Sequence, residues 1–243
     1  MREEVPPARP ASVETVLLDA GGVLLDLDYP FLRRLLQARG RAATLDDLSR
    51  GEALARVEIQ RRVRSGGKVR EVWRDYFHIL LGHAKVPGGL HEEIIDTLWE
   101  AHDRFGLWTV AIPGALSTVR QLREQGLRLG VVSNAEGQVE RDLAAAGYEG
   151  LFHTVVDSAL VGVEKPDPRI FEIALERIGG KPETCIFMGD VPAVDVEGAR
   201  AADIAPVLLD RHDLYPDSDT PRLKSIEELP QWITRSSGED SPV

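Results

Sequence analysis

The chain has 243 residues, enough for one large domain or two small ones whose core needs no disulfide or metal staple. Its 43% hydrophobic and 28% charged residues exclude wholesale disorder and fibrous repeats. A net charge of −11 argues against nucleic acid or an anionic membrane surface as a partner. A lone cysteine, Cys185, cannot form an internal disulfide, and no apolar run reaches the roughly 18 residues of a membrane helix. Met1 to Ser12 is polar and broken by prolines, with no apolar stretch for a signal peptide, so the expected location is the cytoplasm.

Five short runs rich in Val, Leu and Ile read as buried strands: Thr15–Asp19, Leu127–Asn134, Thr154–Ser158, Thr184–Asp190 and Pro206–Asp210. Each ends in a polar or acidic residue. The segment between the first two, Tyr29 to Leu107, is too long for one crossover helix and shows only helical periods. These are Phe31, Leu35, Leu36; Leu48, Leu54, Val57 on to Arg64; Val72 to Leu81; and Leu90, Ile94, Ile95, Leu98. Breaks are expected at Gly40, at Ser65-Gly66-Gly67 and at Val86-Pro87-Gly88-Gly89. Between the later strands the periods Leu116, Val119, Leu122; Val139, Leu143, Ala146; Ile170, Ala174, Ile178; and Val196, Ala199, Ala202 predict crossover helices, several stopped by glycines. Alternating strands and helices imply right-handed crossovers and an α/β fold, a parallel sheet covered on both faces. The expected organisation is a discontinuous core, 1–28 with 108–234, an all-helical insertion at 29–107, and a disordered polar tail at 235–243. An insertion after the first strand would stand over the carboxyl ends of the strands, where open α/β sheets bind ligands, and so is a candidate lid.

Chemistry-bearing residues gather at those strand ends. Asp19 closes the first strand before Ala20-Gly21-Gly22; alone it would be no more than a turn former. Ser133-Asn134 closes the second strand, offering a hydroxyl and, if a helix begins there, free backbone N–H groups for an anion. Lys165 lies in Glu164-Lys165-Pro166-Asp167-Pro168; a lone lysine is usually solvated surface. Met188-Gly189-Asp190 closes the fourth strand, and Asp195 follows at the start of the next helix, either as a cap or as a second carboxylate for a hard cation such as Mg²⁺.

Taken together, Leu18-Asp19-Ala20-Gly21-Gly22-Val23-Leu24, Val132-Ser133-Asn134, Val163 to Pro168 and Met188-Gly189-Asp190 through Asp195 resemble the four ordered motifs of the haloacid dehalogenase superfamily. The likeness spans nearly all of the core, including Ile112-Pro113-Gly114-Ala115 and Gly198-Ala199-Arg200-Ala201-Ala202. It implies a Rossmann-like sheet with the first and fourth strands adjacent, and a helical cap similar to that of the subgroup acting on small phosphorylated metabolites. It further implies Asp19 as a nucleophile that forms an aspartyl-phosphate. Ser133 and the backbone N–H of Asn134 would hold the phosphoryl group, and Lys165 would neutralise charge. Mg²⁺ would be bound by Asp19, the carbonyl of Gly21 and Asp190, with Asp195 as a ligand or just behind them.

One position departs from the family pattern. Where related phosphatases have a second Asp, two residues after the nucleophile, this chain has Gly21. That removes a general acid/base typically worth about 10²–10⁴-fold. The same departure brings in two alternatives, a metal-free 2-haloacid dehalogenase, which needs no proton donor there, and a catalytically weak regulatory protein binding a phosphorylated ligand. A phospho-accepting receiver domain shares the Asp, hydroxyl and Lys logic but has no helical insertion. Elsewhere, His78, His83, His91 and His102 show no metal-binding i, i+4 spacing and read as solvated or core residues. Trp73, Trp99 and Trp108 read as packing residues, and Arg61, Arg62 and Arg64 as a solvated helix face. No motif names the substrate or the oligomeric state.

Overall fold

The structure, a computed structural model, describes residues 10–64 and 73–234, apart from the side chains of 59–64 and 73. The break at Ser65-Gly66-Gly67, the arginines 61, 62 and 64, the packing of Trp73 and the tail at 235–243 fall outside that description.

In chain order the elements are β1 (Thr15–Leu18), β2 (Leu25–Leu27), α1 (Tyr29–Gln37), α2 (Leu45–Arg64), α3 (Trp73–His83), α4 (His91–Phe105) and β3 (Trp108–Ala111). There follow α5 (Ala115–Glu124), β4 (Arg128–Ser133), α6 (Val139–Leu143), β5 (Thr154–Asp157), α7 (Ser158–Val161), α8 (Arg169–Ile178) and β6 (Cys185–Gly189). The chain continues through α9 (Glu197–Ala201), β7 (Ala205–Leu209), β8 (Arg222–Leu223) and α10 (Leu229–Thr234). It divides into two compact units, 1–25 with 111–243, and 26–110.

The first unit is an α/β domain around a parallel sheet of order β5-β4-β1-β6-β7-β8. The five apolar runs read from the sequence are five of its six strands, with β5 at one edge, and the central ones are near-continuous in hydrophobicity because both faces are covered: every residue of β1, β6 and β7 is buried. One layer of the core joins Leu17, Val132 and Phe187 of the sheet to Ile170, Phe171 and Ala174 of α8. Phe171 meets Phe187 edge to face, with ring centroids 4.9 Å apart. Strand β1 lies between β4 and β6, with Leu18 level with Val131 on one side and Met188 on the other. The residues at the ends of these three strands are therefore neighbours, although 114 positions of chain separate Asp19 from Ser133 and 171 separate it from Asp190; parallel pairing sets them level.

The second unit is helical. Its core is built from Leu32 and Leu36 of α1, Leu48 of α2, Phe77, Leu80 and Leu81 of α3, and Ile94, Ile95 and Leu98 of α4. Leu36, Leu48, Ile94, Ile95 and Leu98 lie on the stripes that the 3.6-residue period marks, whereas Phe31, Leu35, Leu54 and Val57 are only partly buried and Leu32 and Ala55 point into the core instead. Asp28 caps α1 by accepting from the Phe31 amide at 2.7 Å. The sequence reading lacked three short strands: β8, two residues long, and β2 and β3, which pair with each other. Strands of two to four residues leave too few positions for a period to show.

Candidate active site

All the sequence-predicted site residues lie in the α/β unit. Asp19 follows β1 directly, its amide bonded to the Met188 carbonyl at 2.9 Å, so β6 continues to hold the backbone one residue beyond the strand. The chain then folds back on itself: the amides of Leu24 and Leu25 both reach the Ala20 carbonyl, and the Gly22 amide reaches the Leu25 carbonyl. This turn needs a positive φ at Gly22, 78°, where a side chain would be strained. Gly21 is not among the positive-φ positions.

Lys165 is the centre of the cluster. Only 1% of its side chain is exposed, and Nζ lies 2.9 Å from Asp19 Oδ1 and 2.7 Å from Asp195 Oδ1. The same ammonium sits 5.2 Å from the centre of the Phe187 ring. Burial pulls the ammonium down, but Asp19 and Asp195 outweigh it, and the net shift is upward. Lys165 is a cation locked between carboxylates, in contrast to the solvated surface that a lone lysine suggests. Burial pushes the Asp19 carboxyl up to about 6, with Lys165 pulling against it and Asp195 adding to it.

Asp195 is placed by backbone geometry. It lies in a π-helical turn, Pro192–Val196, that leads into α9, a local form that recurs at functional sites. Its Oδ2 accepts the amides of Asp190 at 3.0 Å and Val191 at 2.9 Å, while Oδ1 faces Lys165. The carboxylate thus fastens the loop after β6 to the lysine, and it does not simply cap a helix. A Cβ on Gly189 would fall 2.3 Å from the Cβ and Cγ of Asp195, so the glycine is what lets this carboxylate close on the strand end. A Cβ on Gly198 would meet Phe171 at 2.8 Å and the Pro166 Cα at 3.0 Å. That glycine lets α9 press against the turn carrying Lys165.

The segment after β4 differs from the sequence expectation. Ser133 is buried at the strand end, 5% exposed. No helix starts at Asn134; α6 begins at Val139, and the Ala135 and Gly137 amides in between are already in use. Asp157 Oδ2 accepts from Gly137 and Val139, and Ser158 Oγ accepts from the Ala135 amide. The Asn134 side chain clamps the lysine turn: Oδ1 accepts the Lys165 amide at 2.8 Å, and Nδ2 donates to the Lys165 carbonyl at 2.9 Å. Asn134 therefore sets the origin of the Lys165 side chain.

Asp19, Asp190 and Asp195 present carboxylate oxygens within 4.8 Å of one another. Lys165 bonds two of the three, Asp19 and Asp195, and like charges 4 Å apart repel by about 4 kcal/mol at an effective dielectric of 20. An all-oxygen set with excess negative charge fits a hard divalent cation.

The haloacid dehalogenase-like hydrolase profile matches residues 13–203, most of the chain. The chain belongs to this family. As a haloacid dehalogenase-like hydrolase it is 30% identical over 227 residues to the phosphoserine phosphatase of Thermus thermophilus, covering 82% of this chain and 89% of that one. It is 39% identical over 123 residues to the glyceraldehyde 3-phosphate phosphatase of Methanopyrus kandleri, a match spanning 49% of this chain and only 52% of that relative. The crystal structure of the hydrolase YfnB from Bacillus subtilis, bound to magnesium, superposes with a TM-score of 0.67 at 22% identity, covering 92% of this chain and all of that one.

Three contributors to this hydrolase's site escaped the sequence reading: the clamp role of the Asn134 side chain, the loop-holding role of Asp157, and the clearance at Gly189. For Asp157 a signal existed, an Asp at a strand end just before a helix, the pattern of a cap. The other two depend on residues 31 and 6 positions away in the chain, which no local pattern shows. Among the described residues, no helix is long and apolar enough to cross a membrane.

Proposed function

We propose that this hydrolase cleaves small phosphomonoesters through a phosphoryl-Asp19 intermediate with the help of Mg²⁺. The observation that carries the reading is Lys165, buried and bonded to both Asp19 and Asp195 beside Asp190. Phosphoserine and glyceraldehyde 3-phosphate, the substrates in the names of the two relatives, support a small phosphorylated metabolite as substrate.

Asp19 Oδ1 is held by the Ala20 amide at 2.7 Å and by Lys165, which leaves Oδ2 to attack. A bond forms between Oδ2 and phosphorus as the ester oxygen departs with its electron pair and takes a proton from water. A water molecule then adds to phosphorus, the P–Oδ2 bond breaks, and orthophosphate leaves with Asp19 restored. Ser133 donates its hydroxyl hydrogen to a phosphoryl oxygen, and Lys165 offsets the charge gathered on Asp19. Asp19, Asp190 and the Gly21 carbonyl would hold Mg²⁺; Asp195 stands behind them because both of its oxygens are already engaged. The cation supplies charge neutralisation at the phosphoryl oxygens. No proton donor stands at Gly21, so the reading includes slow turnover of esters with poor leaving groups.

Gly21 also favours a second reading, displacement of halide from a 2-haloacid, in which the leaving group needs no proton. One assay separates the readings: a panel of phosphomonoesters and 2-haloacids, with and without Mg²⁺, using wild type and Asp19→Asn. Phosphate release that requires Mg²⁺ and falls to background in Asp19→Asn is expected. Halide release in chelator would replace the phosphatase reading, and appreciable phosphate release by Asp19→Asn would remove Asp19 as nucleophile.

A further inference from the structure

We propose that His78 and His91, in the helical unit, form a site for a divalent transition-metal ion of the zinc class. His78 projects from α3 and His91 opens α4, so their spacing of 13 residues carries no metal signature; the packing of the two helices brings them together.

The hydrogen-bond directions decide the case. His91 Nε2 lies 2.8 Å from the Val86 carbonyl, which can only accept, so this nitrogen carries a hydrogen. His78 Nε2 lies 2.9 Å from Glu92 Oε1. Arg74 bonds to the other oxygen of Glu92 and holds this carboxyl below its usual range, so Glu92 is an ionised acceptor and His78 Nε2 also carries a hydrogen. In a neutral imidazole the lone pair is then on Nδ1. The two Nδ1 atoms face each other at 3.3 Å.

Two facing lone pairs need a cation between them. A shared proton is one answer, in a long hydrogen bond, but the 3.3 Å separation also suits a metal ion. It matches the edge of a tetrahedron whose metal–nitrogen bonds are about 2.0–2.1 Å, which works out at about 3.3–3.4 Å. The outer ring nitrogens meet a carboxylate and a backbone carbonyl, the two partners that orient metal-bound imidazoles. Imidazole donors favour Zn²⁺, Ni²⁺ or Cu²⁺ over Mg²⁺, which separates this site chemically from the all-oxygen cluster at Asp19. His91 is buried while His78 is 35% exposed, so water can reach the remaining coordination positions. Two protein ligands make an exchangeable site. Its effect would be to tie α3 to the start of α4.

The test uses the full chain with saturating Mg²⁺, in wild type and in Asp19→Asn, so that the carboxylate cluster cannot be mistaken for the new site. Zn²⁺ titration by calorimetry and Co²⁺ visible absorption should report one site per chain in both proteins. His78→Gln and His91→Gln should each weaken binding at least tenfold, Glu92→Gln by about tenfold as an outer partner, and His83→Gln should leave it unchanged. Because His91 is buried and its variant could unfold, the partly exposed His78→Gln is read a second way: Zn²⁺ should raise the melting temperature of wild type and not of this variant. Absence of Zn²⁺ binding under saturating Mg²⁺, or binding indifferent to His78→Gln, would overturn the site and leave the two histidines as an ordinary hydrogen-bonded pair.

Discussion

Each unit buries a cluster of charge, and the two clusters are built for different ends. In the helical unit, Glu52 is 2% exposed and collects three donors: the hydroxyls of Tyr29 and Tyr76 and the guanidinium of Arg56, the last at 2.7 Å. The carboxylate is saturated by side chains of its own unit, as a buried structural charge must be. In the α/β unit, Lys165 is likewise enclosed, but its carboxylate neighbours outnumber it, and they stand where parallel strands end. Arg56 is raised by Glu52 against the opposing effect of burial, and Lys165 by two carboxylates against the same effect. The physics of the ion pairs is shared. What differs is the remainder: the helical cluster closes on itself, whereas the strand-end cluster carries excess negative charge that a cation and a phosphoryl group would complete.

That contrast can be broken first at its strongest point. Chelation of divalent ions should abolish phosphatase turnover and added Mg²⁺ restore it, and Asp190→Asn should raise the Mg²⁺ half-saturation severely. Full phosphatase activity in chelator would mean that the excess charge does not call for a metal. A change of opposite sign comes from Gly21→Asp, which should raise turnover of alkyl phosphates by up to about 10²-fold, with less gain on an activated aryl phosphate. The positive φ of the turn falls at Gly22, so the backbone does not forbid Asp at 21. A variant that folds, binds Mg²⁺ and gains nothing would show that another group delivers the proton.

A smaller effect tests the clamp. Asn134→Ala should cut kcat about tenfold by loosening the lysine turn while KM stays near its wild-type value; a raised KM with kcat intact would place Asn134 on substrate. The mildest effect on turnover is expected in the helical cluster. Glu52→Gln removes the carboxylate charge bonded to Arg56 and should cost about 1–3 kcal/mol of stability, lowering the melting temperature with kcat little changed. A large fall in kcat at unchanged stability would make Glu52 part of the chemistry and erase the distinction between the clusters.

Local patterns in the sequence determined the elements and the inventory of reactive groups. Five continuous apolar runs read as buried strands, and the long helical stretch after the first of them was too long for one crossover helix. Asp19, Ser133, Lys165 and Asp190 were legible because each sits at a strand end or a proline-marked turn, and the ordered set resembles a known family's motifs. Tertiary structure decided what the side chains do with one another. Burial turned Lys165 from a surface charge into a bridge between Asp19 and Asp195. The missing Cβ of Gly189 let Asp195 gather the amides of the following loop. Asn134 turned to the backbone of Lys165, and helix packing set two histidines ring to ring. Periodicity reports which face of an element is apolar; it carries no information about partners tens of residues away, which are chosen by close packing and by the need of every buried polar group for a counterpart.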